Sequence, residues 1–205
     1  MQPIKSTTAI IILAAGRSAR LGKPKQLLCY KGKNLLIHAV DEALATGCQN
    51  VFVILGSDSE LFKKELLLKP VQIIENKEWQ EGIASSIRCG LENIKEQLPL
   101  TENVLLMVCD QPYVNSALLL NLIEKKQDSG MPIVASFYEN TKGTPALFDK
   151  KFFQSLIELK GDKGARKIIE DNPDRTTSVQ FSEGKTDIDT EEDYELLKKQ
   201  NDLIG

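Results

Sequence analysis

Short apolar runs rich in Val, Ile and Leu recur along this chain, and most are followed by a segment whose apolar residues fall at helical spacing. Residues 8–13, 51–55, 71–74, 104–109, 132–137 and 178–181 read as strands. Helices are expected over 34–46, 58–67, 83–96, 116–126, 151–159, 164–170 and 191–199, with Asn34 as an N-cap and Gly47 as a C-terminal stop. Between 137 and 151 a loop and a short apolar stretch at 145–148 are expected. Strands that are apolar throughout are covered on both faces. Their alternation with helices implies βαβ units and an α/β fold of three layers, Rossmann-like, around a mostly parallel central sheet. At 205 residues the chain holds one sizeable core, and a single domain over 1–205 is expected. Ligands of such sheets sit beyond the carboxyl ends of the strands, near a switch in strand order. Residues just after strands are therefore the ones to read for chemistry.

Charge and composition exclude several classes. With 26 basic and 29 acidic residues the net charge is -3, which argues against a nucleic-acid partner needing a basic face. The longest apolar run, 9–15, is far shorter than the roughly 20 residues of a membrane span, so no membrane association is expected. The first residues, Met1-Gln2-Pro3-Ile4-Lys5, lack a charged stretch followed by a secretory apolar core. Cys29, Cys48, Cys89 and Cys109 are scattered, without a C-x-x-C pair, which suits reduced thiols and a cytoplasmic location and argues against zinc. The one histidine, His38, lies inside an apolar helical segment and reads as an ordinary helix residue. Mechanisms that need a His base placed by a third group are thereby weakened. Chemistry here falls to carboxylates, lysines, arginines and backbone amides.

The first strand runs directly into Leu13-Ala14-Ala15-Gly16-Arg17-Ser18-Ala19-Arg20-Leu21-Gly22-Lys23-Pro24-Lys25. Small residues let backbone approach a ligand, and successive amides can face phosphate oxygens. Arg20 offers a planar fork and Lys25 a compact charge for a triphosphate. The loop fits neither the Walker A pattern nor G-x-G-x-x-G. Taken over residues 13–28, L-A-A-G-x-S-x-R-x-G-x-x-K-x-L-L resembles the signature loop of the MobA-like nucleotidyltransferases. Within them it is most similar to the molybdenum cofactor cytidylyltransferases. The resemblance implies a GT-A-like nucleotidyltransferase fold, with Arg20 and Lys25 on the triphosphate. Leu13, Ala14, Ala15 and Gly16 would contact base and phosphates.

Four further segments match that family in order. Cys109-Asp110-Gln111-Pro112 resembles its C-D-Q-P motif, which implies Asp110 as a ligand to Mg2+. Residues 76–87 fit N-x-x-W-x-x-G-x-x-S-S, implying nucleotide contacts from Gly82, Ser85 and Ser86, whereas Trp79 is expected to pack. Lys142-Gly143-Thr144-Pro145 is similar to a G-H-P segment near the acceptor, with Thr144 where the family usually has His, and Gly161-Asp162-Lys163-Gly164-Ala165-Arg166 matches an acceptor-side loop. Asp187-Ile188-Asp189-Thr190-Glu191-Glu192-Asp193 fits the terminal D-[IV]-D-T-x-E-D element, with Asp189 and then Asp187 expected to complete the metal site. Thr190 and the acids after it also suit a helix start.

What the resemblance implies is Mg2+-dependent transfer of CMP from CTP to molybdopterin, releasing pyrophosphate, with a molybdoenzyme or its maturation factor as a further partner. The Ala at position 15, where GTP users tend to carry Gly, favours CTP. A nucleotidyltransferase for a phosphorylated sugar or polyol, and a non-catalytic nucleotide or cofactor carrier, are the alternatives.

Overall fold

The structure, a computed structural model, describes residues 7–16 and 21–202. Its frame is a seven-stranded sheet flanked by helices on both faces. The chain runs β1 (Thr8–Ala14), a two-residue hairpin β2 (Cys29–Tyr30) and β3 (Lys33–Asn34), α1 (Leu35–Ala45), β4 (Val51–Leu55), α2 (Ser59–Leu66) and β5 (Gln72–Glu75). It continues through α3 (Ile83–Gln97), β6 (Asn103–Val108), α4 (Ser116–Ser129), β7 (Ile133–Tyr138) and β8 (Thr141–Asp149). It ends with α5 (Phe153–Ile157), α6 (Ala165–Glu170), β9 (Thr176–Gln180) and α7 (Glu191–Asp202). Among the described residues no helix is long and apolar enough to cross a membrane.

The period-2 geometry of a strand sends successive side chains to opposite faces. Thus Ile10, Ile12 and Ala14 join the core that includes α1, α2 and α4, while Ala9, Ile11 and Leu13 join the core that includes α3, α5 and α6. Ile10, Ile11 and Ile12 are fully buried, each contributing about 1.5–3 kcal/mol. Both faces are covered, as the unbroken apolar runs require.

Strand order is β5-β4-β1-β6-β8-β7-β9, and β8 alone runs against the others. After β1 the chain adds β4 and β5 on one side, then returns to place β6 on the other. That reversal opens a crevice beyond the carboxyl ends of β1 and β6. The glycine loop leaves one and Asp110 follows the other.

Three strands are not expected from composition: β8 and the two of the hairpin. β8 contains Gly143 and Pro145, which signal a loop. The sheet accepts them through a register shift between Ala135 and Ser136 of β7, where the Ser136 hydroxyl donates to the Pro145 carbonyl at 2.7 Å. The hairpin turns on Lys31 and Gly32, both at positive φ, the pattern of a tight two-residue connection. The Asn34 cap is as expected: its side chain accepts from the Ile37 amide at 2.7 Å.

His38, buried on α1, stands edge-on to Tyr30 and donates from Nε2 to the Pro112 carbonyl at 2.9 Å. It therefore props the turn that follows β6. Burial pushes its pKa below 6.5, with Glu42 and the Pro112 carbonyl opposing. The unfolded chain takes up the proton more readily, so stability is full above about pH 6.5 and declines as pH falls through the lower folded value. Urea unfolding between pH 7.5 and 5 should show that decline in the wild type and lose it in His38→Gln, which should also cost about 1 kcal/mol at neutral pH. Parallel pH profiles would assign the acid loss elsewhere.

Candidate active site

A cleft of about 310 Å³ opens at the crevice between β1 and β6. One wall is the end of β1 and the start of its loop, Leu13, Ala14, Ala15 and Gly16. Gln26 stands beside it on the lining: its side-chain amide donates to the Ala14 carbonyl at 2.9 Å and the Gly16 carbonyl at 3.0 Å. Gly56, just beyond β4, lets this wall settle, because a Cβ there would stand 2.5 Å from the Ala15 carbonyl oxygen. Val108, Cys109 and Asp110 form the floor at the end of β6. Trp79, Gln80, Gly82, Ile83 and Ser86 contribute from the turn before α3 and its first residues.

Charge concentrates on Lys25. Its ammonium donates to Asp110 Oδ2 in a close contact and to Asp189 Oδ1 at 3.1 Å. The Lys25 and Asp110 side chains are largely buried, while Asp189 is half-exposed. Burial opposes the lysine's charge, but Asp110 more than offsets it, and the pKa ends above its usual value. Lys25 is therefore a fixed cation across neutral pH.

The tail reaches this point by a backbone bond: the Ile188 amide donates to the Asp110 carbonyl at 3.1 Å, and the Ile188 side chain is fully buried. Its neighbours Asp187 and Asp189 are thereby delivered to Asp110. Capping of α7 is carried by Thr190 and Asp193, whose side chains bond each other's backbone amides. Asp189 is left for Lys25. Asp187 stands at the rim, where crowding by protein atoms and then the Asp110 charge push its carboxyl up to about 6, opposed by a Gln111 hydrogen bond. Cys109 is not a ready nucleophile: burial, then the Asp110 charge, push its thiol up to about 12.

The fold thus gathers Leu13, Ala14, Ala15, Gly16, Lys25, Gly82, Ser86 and Asp110 around one cleft, with Asp189 and Asp187 at its charged end. Arg20 lies outside the described residues. Ser85 is not on the lining. It is buried behind it, donating to the Gly82 carbonyl at 2.8 Å and accepting from Asn76 at 2.8 Å. Thr144 is also off the lining, on β8. Trp79, expected to pack, is on it, and so are Gln26 and Asp162. The motif around Asp162 resembles an acceptor-side loop, yet that loop abuts the start of α3, where the Ala84 amide donates to the Gly161 carbonyl at 3.1 Å. Nothing in local composition links residues 82 and 162.

Gly82 is where these segments meet. Its φ is +98°, and a Cβ would lie 2.5 Å from Asp162 Oδ1 and 2.6 Å from the Gly161 backbone. Gly82→Ala should therefore lose about 1–3 kcal/mol in urea unfolding and weaken ligand binding in the cleft, because backbone must move. An unchanged midpoint would mean that the 161–162 turn yields freely.

Residues 10–177 match the MobA-like NTP transferase domain family. Among solved structures, that of Rv0371c from Mycobacterium tuberculosis H37Rv superposes with a TM-score of 0.80 at 30% identity, covering 94% of this chain and 98% of that one. Rv0371C in complex with manganese, from the same organism, gives 0.76 at 27% identity, covering 94% and 98%. The nicotine blue oxidoreductase of Paenarthrobacter nicotinovorans is 28% identical over 198 residues, 91% of this chain and 95% of that protein.

Proposed function

We propose that this chain, which belongs to the MobA-like NTP transferase family and is on that ground a nucleotidyltransferase, transfers CMP from CTP to the phosphate of molybdopterin carrying molybdenum, releasing pyrophosphate. The observation that carries the reading is the Lys25 ammonium, fixed between Asp110 and Asp189 beside a cleft walled by the glycine loop.

In the proposed reaction an acceptor phosphate oxygen attacks the α-phosphorus in line. The new P–O bond forms as the bond to the bridging α–β oxygen breaks, and pyrophosphate leaves with that electron pair. A phosphate monoester has its second pKa near 6, so the attacking oxygen is already anionic at neutral pH. No general base is needed, which agrees with a buried, structurally engaged His38 and a Cys109 thiol held protonated. Catalysis then rests on positioning and charge neutralisation. Lys25 turns its charge toward the triphosphate, with Arg20 assisting. The amides around Ala14, Ala15 and Gly16 hold the nucleotide, Gly82 and Ser86 take the far side, and Ser85 supports them from behind.

The donor set fits a hard divalent cation. Asp110 Oδ1 is buried without a partner among the described residues, and Asp189 is open to solvent. Mg2+ takes one or two carboxylates and completes its shell with water and substrate phosphates. The described residues hold no ready three-ligand cluster, and on this account none is needed. Asp110 and Asp189 would hold Mg2+, with Asp187 second, and when bound it supplies charge neutralisation at the phosphates. The preference for CTP rests on the Ala15 methyl, which narrows the base end of the cleft.

Purified protein with Mg2+ and each of CTP, GTP, ATP and UTP should release pyrophosphate with CTP, and only when molybdenum cofactor is added. Lys25→Ala and Asp110→Asn should each lower that rate about 10²-fold or more. Release with a sugar or polyol phosphate instead would move the acceptor, and tight nucleotide binding without release would make the chain a carrier. Near-wild-type rates in both variants would remove Lys25 and Asp110 from the mechanism.

A further inference from the structure

Trp79 is the chain's one tryptophan, yet it belongs to none of the hydrophobic clusters that make the core. It is half-buried and lines the cleft. A tryptophan that serves packing is enclosed by core residues, whereas this one keeps part of its surface on an open cavity.

The turn that carries it, Trp79–Glu81, is held from several directions. One guanidinium nitrogen of Arg88, on α3, donates to Glu78 just before the turn and to Glu81 at its end, at 2.7 Å each, so both ends of the turn are tied to the helix. The Asn76 side chain accepts from the Glu78 amide at 2.9 Å and donates to Ser85 and Ser86. Gly56 leaves room beneath, since a Cβ there would lie 3.0 Å from the Trp79 Cβ. Trp79 is thus anchored at the wall of a cleft that also has Leu13, Ile83 and Val108 as apolar lining and Lys25 as a cation. A flat π-system joined to an anion satisfies both parts.

We propose that Trp79 is the platform on which the nucleobase stacks, and that Arg88 is a positioning residue that holds the platform in place. This rests on the nucleotidyltransferase reading. Every base has a π-face, so stacking raises affinity without choosing among bases. Trp79 sets the general affinity for nucleotides, and selection falls to the Ala15 methyl at the base end of the cleft.

Because the tryptophan is unique, its emission is a direct probe. Titration of the wild type with CTP should change Trp79 fluorescence with the same Kd that calorimetry gives. Trp79→Phe should keep nucleotide affinity within a few-fold, whereas Trp79→Leu, similarly apolar but without a π-face, should raise Kd and KM by about tenfold or more with kcat largely kept. The loss in Kd should be alike for all four triphosphates. Arg88→Ala should raise KM with kcat kept and shift the Trp79 emission of the free protein. Equal affinity in the Phe and Leu variants, or nucleotide binding that leaves the emission unchanged, would overturn the platform. If calorimetry detects no triphosphate binding to the wild type, it is the parent reading that fails.

Discussion

Lys25 is pinned between two carboxylates that lie 85 and 164 positions away in sequence, and the crevice takes its form from that meeting. Two partly buried charges of opposite sign are stable only with their partners in place, and loss of one strands the other. The bridge therefore binds three separate pieces of chain: the end of the glycine loop, the end of β6 and the tail. Backbone geometry reinforces it where Ile188 bonds the Asp110 carbonyl, and a small cluster of Leu21, Leu28, Tyr30, Leu35, Tyr194 and Leu197 packs around Ile188. Tyr194 further ties α7 to the hairpin by bonding the Cys29 amide and carbonyl. The distal tail is in this way tied to the charged end of the cleft.

Around that charged end, the apolar end depends on atoms that are missing. Gly56 and Gly82 each stand where a single Cβ would strike backbone atoms. The first lets the Ala15 wall and Trp79 close over the end of β4, and the second lets the 161–162 turn meet the start of α3. Buried side chains then fix what the glycines allow. Gln26 holds two carbonyls of the loop from one side, and Asn76 holds Ser85 and Ser86 from the other. The amide groups of both side chains donate to these local acceptors, so they rigidify rather than react.

Much of this was legible in the sequence because the physics involved is local. Continuous apolar runs announced β1, β4 and β6, and the Asn34 cap announced α1. The positions just after β1 and β6 followed from the logic of parallel sheets, which is why Lys25 and Asp110 could be named. The rest depended on contacts between distant segments. β8 was hidden because Gly143 and Pro145 read as a loop, and only pairing with β6 and β7 makes them a strand. Ser85 and Ser86 are indistinguishable as a motif, but the helix turns one toward the cleft and the other behind it. Trp79 carries no local sign of exposure, since aromatic residues mostly pack. Asp162 became visible only when its turn was seen against Gly82.

The division of labour that results is electrostatic. His38 is committed to the Pro112 carbonyl from within the core, and the Cys109 thiol is held protonated by burial and by Asp110. Neither is free to trade protons with a ligand in the cleft. Lys25, by contrast, keeps its charge at every physiological pH because Asp110 stands against it. A site whose strongest group is a permanent cation among carboxylates suits reactants that already carry their charges, as phosphates do. Such a site gains its effect from holding those charges in fixed places, in partly dry surroundings where each interaction is stronger than in water. On the proposed reading, the rigidity supplied by the two glycines, Gln26 and the tail is the means by which the chemistry would be done.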